Sequence, residues 1–89
     1  MTEKDDYKRC LVIGGSGQLG YEIVKQLKNE GKFVRVMDIQ PLPEEDNGTE
    51  FLFGDITNID DIRLACEDID IVFQTAAAIW DPKLPKRIY

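Results

Sequence analysis

This sequence of 89 residues has no histidine, only two cysteines and no long apolar run. The two cysteines show no repeated spacing, which excludes a disulfide scaffold and the usual zinc sites. The longest apolar stretch, residues 76–80, is far shorter than the ~20 residues that a membrane-spanning helix needs. Residues 1–9 are charged and hold no apolar core, so no signal peptide is expected.

Basic charge is also scarce, because 11 Lys and Arg residues stand against 17 Asp and Glu residues, for a formal net charge of −6. A nucleic-acid partner held by phosphate neutralisation is therefore not expected. The hydrophobic fraction of 43% and the charged fraction of 31% are typical of a globular protein rather than a disordered one. These values indicate one small domain with a cytoplasmic location.

Short apolar runs alternate with amphipathic segments along the chain. Strands are predicted at residues 10–13, 33–37, 51–53 and 71–73, helices at 19 to about 30 and after a cap at Thr57 or Asn58, and a loop at 40–49. Unbroken apolar runs are typical of strands buried on both faces of a parallel sheet. The buried faces of the helices are expected to carry Leu19, Ile23, Val24 and Leu27, and Ile59, Ile62, Ala65, Cys66 and Ile69. The order predicts an α/β fold.

A glycine-rich segment follows the first strand and opens the first helix. Its glycines fit two registers, because either Gly14 or Gly15 can precede Gly17 and Gly20. In a dinucleotide-binding loop the first glycine allows a tight turn, the second lets the backbone approach a pyrophosphate, and the third lets the helix pack closely. Free N–H groups at the helix start then meet the phosphates. The alternative is a tight turn that binds no ligand.

Asp38 ends the second strand, eighteen residues after Gly20. A carboxylate at that place can accept hydrogen bonds from both adenosine ribose hydroxyls. It would repel a 2′-phosphate, and no arginine follows at Ile39 or Gln40 to bind one. The pair of glycine loop and acid therefore favours NAD over NADP.

Two further strand ends carry candidate cofactor contacts. Asp55 could bond the adenine amino group while Ile56 packs on the ring, and an equally good alternative is a turn begun by Asp55. Ala76 and Ala77 end the fourth strand, where small side chains would let a cofactor pass close to the backbone.

Tyr21 and Lys25 have the Tyr-x-x-x-Lys spacing of a short-chain dehydrogenase catalytic pair. At about 100° per residue, Lys25 lies opposite the apolar face of the first helix and Tyr21 lies on its flank. Both are expected to face solvent, so no catalytic role is predicted for them. Cys10 and Cys66 are expected to be buried, inert thiols.

Four segments together resemble the extended short-chain dehydrogenases/reductases. They are residues 12–20 (VIGGSGQLG), 34–38 (VRVMD), 54–57 (GDIT) and 70–77 (DIVFQTAA). Within that family the chain is most similar to the branch of 3β-hydroxysteroid dehydrogenases and sterol-4α-carboxylate 3-dehydrogenases, over about residues 9–81.

The resemblance implies the N-terminal part of a Rossmann-type, doubly wound parallel sheet with strand order 3-2-1-4, so residues 1–89 are a partial NAD-binding domain. The family's catalytic Ser and Tyr-x-x-x-Lys lie beyond this chain, which alone is expected to be inactive, and no metal ligand is predicted. The candidate cofactor residues are Gly14, Gly15, Ser16, Gly17, Gln18, Leu19, Gly20, Asp38, Ile39, Asp55, Ile56, Thr75, Ala76 and Ala77.

The implied function is hydride transfer between the 3β-hydroxyl of a steroid or sterol and NAD. The Gln18-Leu19-Gly20 ending also occurs in sugar-nucleotide reductases, so a nucleotide-sugar epimerase, dehydratase or reductase is an alternative. A non-catalytic NAD-sensing protein is another. The expected partner of the complete protein is a small-molecule substrate, and a second copy of the chain in a homodimer is a further candidate. An endoplasmic-reticulum surface is the alternative location if the complete protein carries a C-terminal anchor.

Overall fold

Residues 8–76 are described by a computed structural model. Within them the chain runs through β1 (Arg9–Ile13), α1 (Gln18–Asn29), β2 (Phe33–Asp38), β3 (Glu50–Phe53), α2 (Ile59–Ala65) and β4 (Ile71–Gln74). Every predicted element is present, and residues 40–49 form the predicted loop between β2 and β3.

The strands form one parallel sheet in the order β3-β2-β1-β4. In the middle of the sheet, Cys10 of β1 is aligned with Val34 on one side and with Ile71 on the other. The predicted strand order is therefore confirmed. All carboxyl ends lie at the same edge, so the segments that follow β1, β2, β3 and β4 meet there.

The sheet is covered on both faces, which explains the unbroken apolar runs. Cys10 and Val12 pack on one face against Val24 and Leu27 of α1. The alternate β1 residues Leu11 and Ile13 pack on the other face against α2. Because the two helices lie on opposite faces, the fold is doubly wound.

The first apolar residue of each helix is exposed, and here the predicted buried faces are wrong. Leu19 is 66% exposed and Ile59 is 59% exposed. At 3.6 residues per turn, Leu19 is rotated by about 100° from Gly20, which is buried with Val24 and Leu27. Ile59 is rotated by a similar angle from Ala65, the buried residue of α2.

Arg35 is a buried charge in the middle of β2. Its side chain lies beneath α2, where Nη1 donates to the carbonyl oxygens of Ala65 at 2.7 Å and Glu67 at 2.8 Å. Its Nε donates to a Glu50 carboxylate oxygen at 2.9 Å. These bonds satisfy carbonyls at the C-terminal end of α2, so Arg35 ties β2, β3 and α2 together.

Candidate functional site

The glycine loop turns sharply at the end of β1. Gly14 has a φ of +85°, and a Cβ added there would lie 2.7 Å from the backbone nitrogen of Ala76. Its N–H donates to the carbonyl oxygen of Met37 at 2.9 Å, which holds the turn against the end of β2. Glycine is required here, because only glycine adopts this left-handed conformation freely and leaves room for the backbone that follows β4.

Gly15 and Gly20 are required by packing. A Cβ at Gly15 would lie 2.6 Å from a Val36 methyl carbon, inside the core under α1. A Cβ at Gly20 would overlap the carbonyl oxygen of Gly14. The last glycine of the motif therefore lets the helix approach the backbone of its own preceding loop.

Gly17 is different, because nothing in the described chain requires a glycine there. Its φ of −77° and ψ of 173° suit any residue. A Cβ would meet only the Gly14 carbonyl oxygen, at an ordinary 3.5 Å. Gly17 is also the N-cap of α1, where no side chain caps the helix and no acidic residue lies in the first turn. The helix start is thus open to an anion.

Asp38 lies beside this loop, as the sequence predicts. Its Oδ2 accepts from the backbone N–H of Ser16 at 2.9 Å, and its Oδ1 accepts from that of Gln40 at 3.0 Å. The Ser16 hydroxyl donates to the carbonyl oxygen of Gln40 at 2.8 Å. The carboxylate is therefore oriented by the glycine loop, with the exposed Ile39 next to it in sequence.

Asp55 begins a turn after β3. Its Oδ1 accepts from the backbone N–H of Thr57 at 2.9 Å and from the Thr57 hydroxyl at 2.8 Å. Both bonds hold the pKa of Asp55 below its usual value, and the bond from the Thr57 backbone is the larger cause. Ile56 packs against the core on the α2 face of the sheet. The geometry favours the turn interpretation, and contact with adenine stays a prediction.

The end of β4 is bonded to the end of β1. The Thr75 hydroxyl donates to the carbonyl oxygen of Ile13 at 2.7 Å, and the backbone N–H groups of Thr75 and Ala76 approach the same oxygen. Ala76 lies against Gly14. Ala77 lies outside the described residues. The structure therefore brings Thr75 and Ala76 to the glycine loop.

Tyr21 is half-buried, so the prediction that it faces solvent is wrong. Its hydroxyl donates to Asp46 Oδ1 at 3.1 Å, because the loop between β2 and β3 folds over α1. Burial, followed by the hydrogen bond to Asp46 and the charge of Asp46, raises the pKa of Tyr21. Lys25 pairs with Glu22 at 3.0 Å. A catalytic tyrosine needs a lowered pKa, so this pair is unsuited to acid–base work.

The family model of the 3-beta hydroxysteroid dehydrogenase/isomerase family matches residues 11–83. The chain belongs to this family. Its match begins in β1 and includes the glycine loop, Asp38 and the end of β4. The resemblance stated from the sequence is confirmed.

Two curated relatives and one solved structure are similar to this chain. A 3-beta-hydroxysteroid dehydrogenase of Mycolicibacterium neoaurum is 42% identical over 80 residues, or 88% of this chain and 22% of the relative. The human sterol-4-alpha-carboxylate 3-dehydrogenase, decarboxylating, is 40% identical over 76 residues, or 85% of this chain and 20% of the relative. The protein MoeE5, solved with UDP-glucuronic acid and NAD, is 32% identical, with a TM-score of 0.68 over 79% of this chain and 23% of that protein.

The chain spans about a fifth of the length of the curated family relatives that it matches.

Between residues 8 and 76, no cluster of His, Cys, Asp and Glu is suited to hold a metal ion. Cys10 is buried, and burial raises the pKa of its thiol. Neither described helix has the length and apolar character to cross a membrane.

Proposed function

We propose that this chain is the NAD-binding part of an oxidoreductase that transfers a hydride between the 3β-hydroxyl of a steroid or sterol and NAD. The observation that carries the proposal is Gly17. It is a glycine that neither backbone conformation nor packing requires, at the uncapped start of α1. A side chain there would extend into the space over the first turn, where a pyrophosphate would lie.

Asp38 adds a proposed ribose-binding group next to the proposed phosphate site. Its carboxylate is held beside Ser16 of the glycine loop, with Oδ2 2.9 Å from the Ser16 backbone nitrogen, and an acid in this place bonds the ribose in dinucleotide sites. The bound nicotinamide would supply the hydride acceptor. The residues of this chain would bind and orient the cofactor, and we assign no catalytic residue among them.

The proposed cofactor contacts are of three kinds. Backbone groups of the loop would face the phosphates, Asp38 the ribose, and the strand ends the remaining edge of the cofactor. The residues are Gly14, Gly15, Ser16, Gly17, Gln18, Leu19 and Gly20 in the loop, Asp38 and Ile39 after β2, Asp55 and Ile56 after β3, and Thr75, Ala76 and Ala77 after β4. The exposure of Leu19 is compatible with this use.

A nucleotide-sugar enzyme is the second candidate. MoeE5, which binds UDP-glucuronic acid and NAD in its solved structure, has 32% identity to this chain. The Gln18-Leu19-Gly20 ending points the same way. Both candidates would use the same cofactor half, so they differ in the substrate and in the fate of the transferred hydride.

Cofactor binding is tested by titrating the complete protein with NAD and with NADP. NAD should bind more tightly, because Asp38 would repel a 2′-phosphate. Gly17→Val should weaken NAD binding by at least about a hundredfold, since lost phosphate contacts and a steric block act together. The matched control is Asn29→Ala, an exposed change in the last turn of the same helix. Unchanged NAD binding by a folded Gly17→Val protein would reduce the glycine loop to a turn.

The substrate is tested with two panels, 3β-hydroxysteroids followed by NADH formation and UDP-sugars followed by chemical change of the sugar itself. The second readout is needed because an epimerase or dehydratase returns the hydride to its substrate and leaves no net NADH. Turnover of the first panel alone would support the steroid assignment. Turnover of the second alone would replace it with the nucleotide-sugar candidate, and the absence of both with intact NAD binding would contradict both.

A further inference from the structure

The loop between β2 and β3, residues 39–49, leaves the sheet directly after Asp38. Its first residues, Ile39 and Gln40, therefore flank the proposed ribose site. This near end is fixed by the bond from the Ser16 hydroxyl to the Gln40 carbonyl oxygen at 2.8 Å. A loop of this length without regular structure needs further contacts to hold one conformation.

The far end of the loop is held by Asp46. Its Oδ1 accepts from the Thr49 hydroxyl at 2.8 Å, the Tyr21 hydroxyl at 3.1 Å and Lys28 Nζ at 3.4 Å. Lys28 Nζ also donates to the carbonyl oxygen of Asn47. Tyr21 and Lys28 belong to α1, so the Asp46 carboxylate and the neighbouring Asn47 carbonyl join the loop to the helix.

This carboxylate is largely removed from solvent, with 8% of the Asp46 side chain exposed. Burial alone would raise the pKa of Asp46, but the hydrogen bonds from Thr49 and Tyr21 and the charge of Lys28 outweigh it and lower the pKa. Asp46 therefore stays ionised, and its bonds are charge-assisted.

The middle of the loop connects the contacts of Asp46 to Gln40 at the near end. Leu42 packs against the core on the α1 face. Pro41 and Pro43 flank it, and each fixes its own φ and restricts the residue before it. The residue before Pro41 is Gln40. The segment from Gln40 to Pro43 thus has few free dihedrals, and the Asp46 N–H donates to the Pro43 carbonyl oxygen at 3.0 Å, which joins Asp46 to it.

We propose that Asp46 is a positioning residue for the adenosine half of the cofactor. It acts through the loop on Ile39 and Gln40, and Tyr21, Lys28 and Thr49 are its partners. With the loop held before binding, the ligand does not bear the entropy cost of ordering it. This inference rests on the proposed NAD site and adds a remote residue to it.

The test uses the complete protein with Asp46→Ala, Tyr21→Phe and the control Glu22→Gln. Glu22 lies on the same helix in an exposed pair with Lys25. Dissociation constants for NAD and for ADP-ribose are measured well below the unfolding temperature, together with KM and kcat. Asp46→Ala should raise both dissociation constants and the KM for NAD by about tenfold, while kcat at saturating NAD changes less than about twofold. Tyr21→Phe, which removes one of the three donors, should give a smaller shift of the same kind.

Each outcome decides a separate point. An Asp46 with a merely stabilising role would lower the unfolding temperature and leave both dissociation constants unchanged, which would overturn the inference. A parallel fall in kcat would also overturn it. If Asp46→Ala does not fold, an unaltered ADP-ribose affinity in Tyr21→Phe contradicts the proposal. A wild-type protein that binds no NAD would instead overturn the proposed function.

Discussion

The N-cap of helix α1 is Gly17, which offers the first turn no side-chain acceptor. The N-cap of α2 is Asn58, whose side chain accepts from the N–H groups of Asp60 at 2.9 Å and Asp61 at 3.3 Å. Both helices leave backbone donors at their N-termini, as every α-helix does. In α2 the chain itself satisfies two of these donors. In α1 it does not, and this difference marks α1 as the helix that is suited to meet an anion from outside.

The distribution of acidic residues follows the same division. Asp60 and Asp61 lie in the first turn of α2, where the helix dipole favours them, and the first turn of α1 has no acidic residue. Asp38 lies close to α1, but its carboxylate is held by Ser16 and Gln40, to one side of the helix start. A carboxylate within the first turn of α1 would compete with a phosphate, and none is present.

The largest expected effect of a single substitution is that of Gly20→Ala. The added methyl group would overlap the Gly14 backbone, which cannot yield as a flexible side chain can. We expect a loss of about 2–3 kcal/mol of unfolding free energy, the upper range for overpacking. The free energy is measured by denaturant unfolding of the complete protein.

Gly17→Ala is the matched comparison for that measurement. It adds the same methyl group to the same helix start, with only an ordinary contact, and should cost less than about 1 kcal/mol. Equal losses of unfolding free energy in Gly20→Ala and Gly17→Ala would mean that packing, rather than the approach of a ligand, requires glycine at both positions.

Asn58→Ala should have a smaller effect and one limited to stability. The substitution removes the acceptor for two backbone donors of α2, which costs about 1 kcal/mol. NAD affinity should not change, because the Asn58 side chain accepts from Asp60 and Asp61, neither of which is a proposed cofactor contact. Calorimetric titration with NAD checks this, and a large loss of affinity would show that α2 contributes to the cofactor site.

The features that the sequence predicts well are those carried by local pattern. The positions of the strands and helices, and the place of Asp38 at the end of β2, follow from residues near one another in the chain, and the structure confirms them. The sequence predicts the cap of α2 at Thr57 or Asn58, and the structure has Asn58 there.

The features that the sequence does not predict depend on contacts between distant segments. The bonds of Arg35 to the end of α2 join residues 30 and 32 positions apart. Tyr21 meets Asp46 only because the intervening loop folds back, so its burial has no local signal beyond an aromatic ring on the flank of a helix. The exposure of Leu19 and Ile59 shows a second limit, because apolar periodicity does not state where on the helix the contact with the sheet is centred.

The smallest expected change in stability comes from exchanging the N-cap residue types of the two helices, with Gly17→Asn before α1 and Asn58→Gly before α2. Gly17 already has the extended backbone of an N-cap, so an asparagine there can accept from the first-turn N–H groups. Asparagine exceeds glycine as a cap by only a few tenths of a kcal/mol, so Gly17→Asn should be slightly more stable and Asn58→Gly slightly less.

The same exchange should have opposite consequences for the cofactor. The asparagine side chain introduced by Gly17→Asn would occupy donors that we assign to the pyrophosphate, so a more stable protein should bind NAD at least about tenfold more weakly. Asn58→Gly should bind NAD as the wild type does. Denaturant unfolding and NAD titration on the same samples measure both quantities. Gly17→Asn with undiminished NAD affinity would show that the open start of α1 is not the phosphate site, because its donors would then be free to serve a side chain without loss.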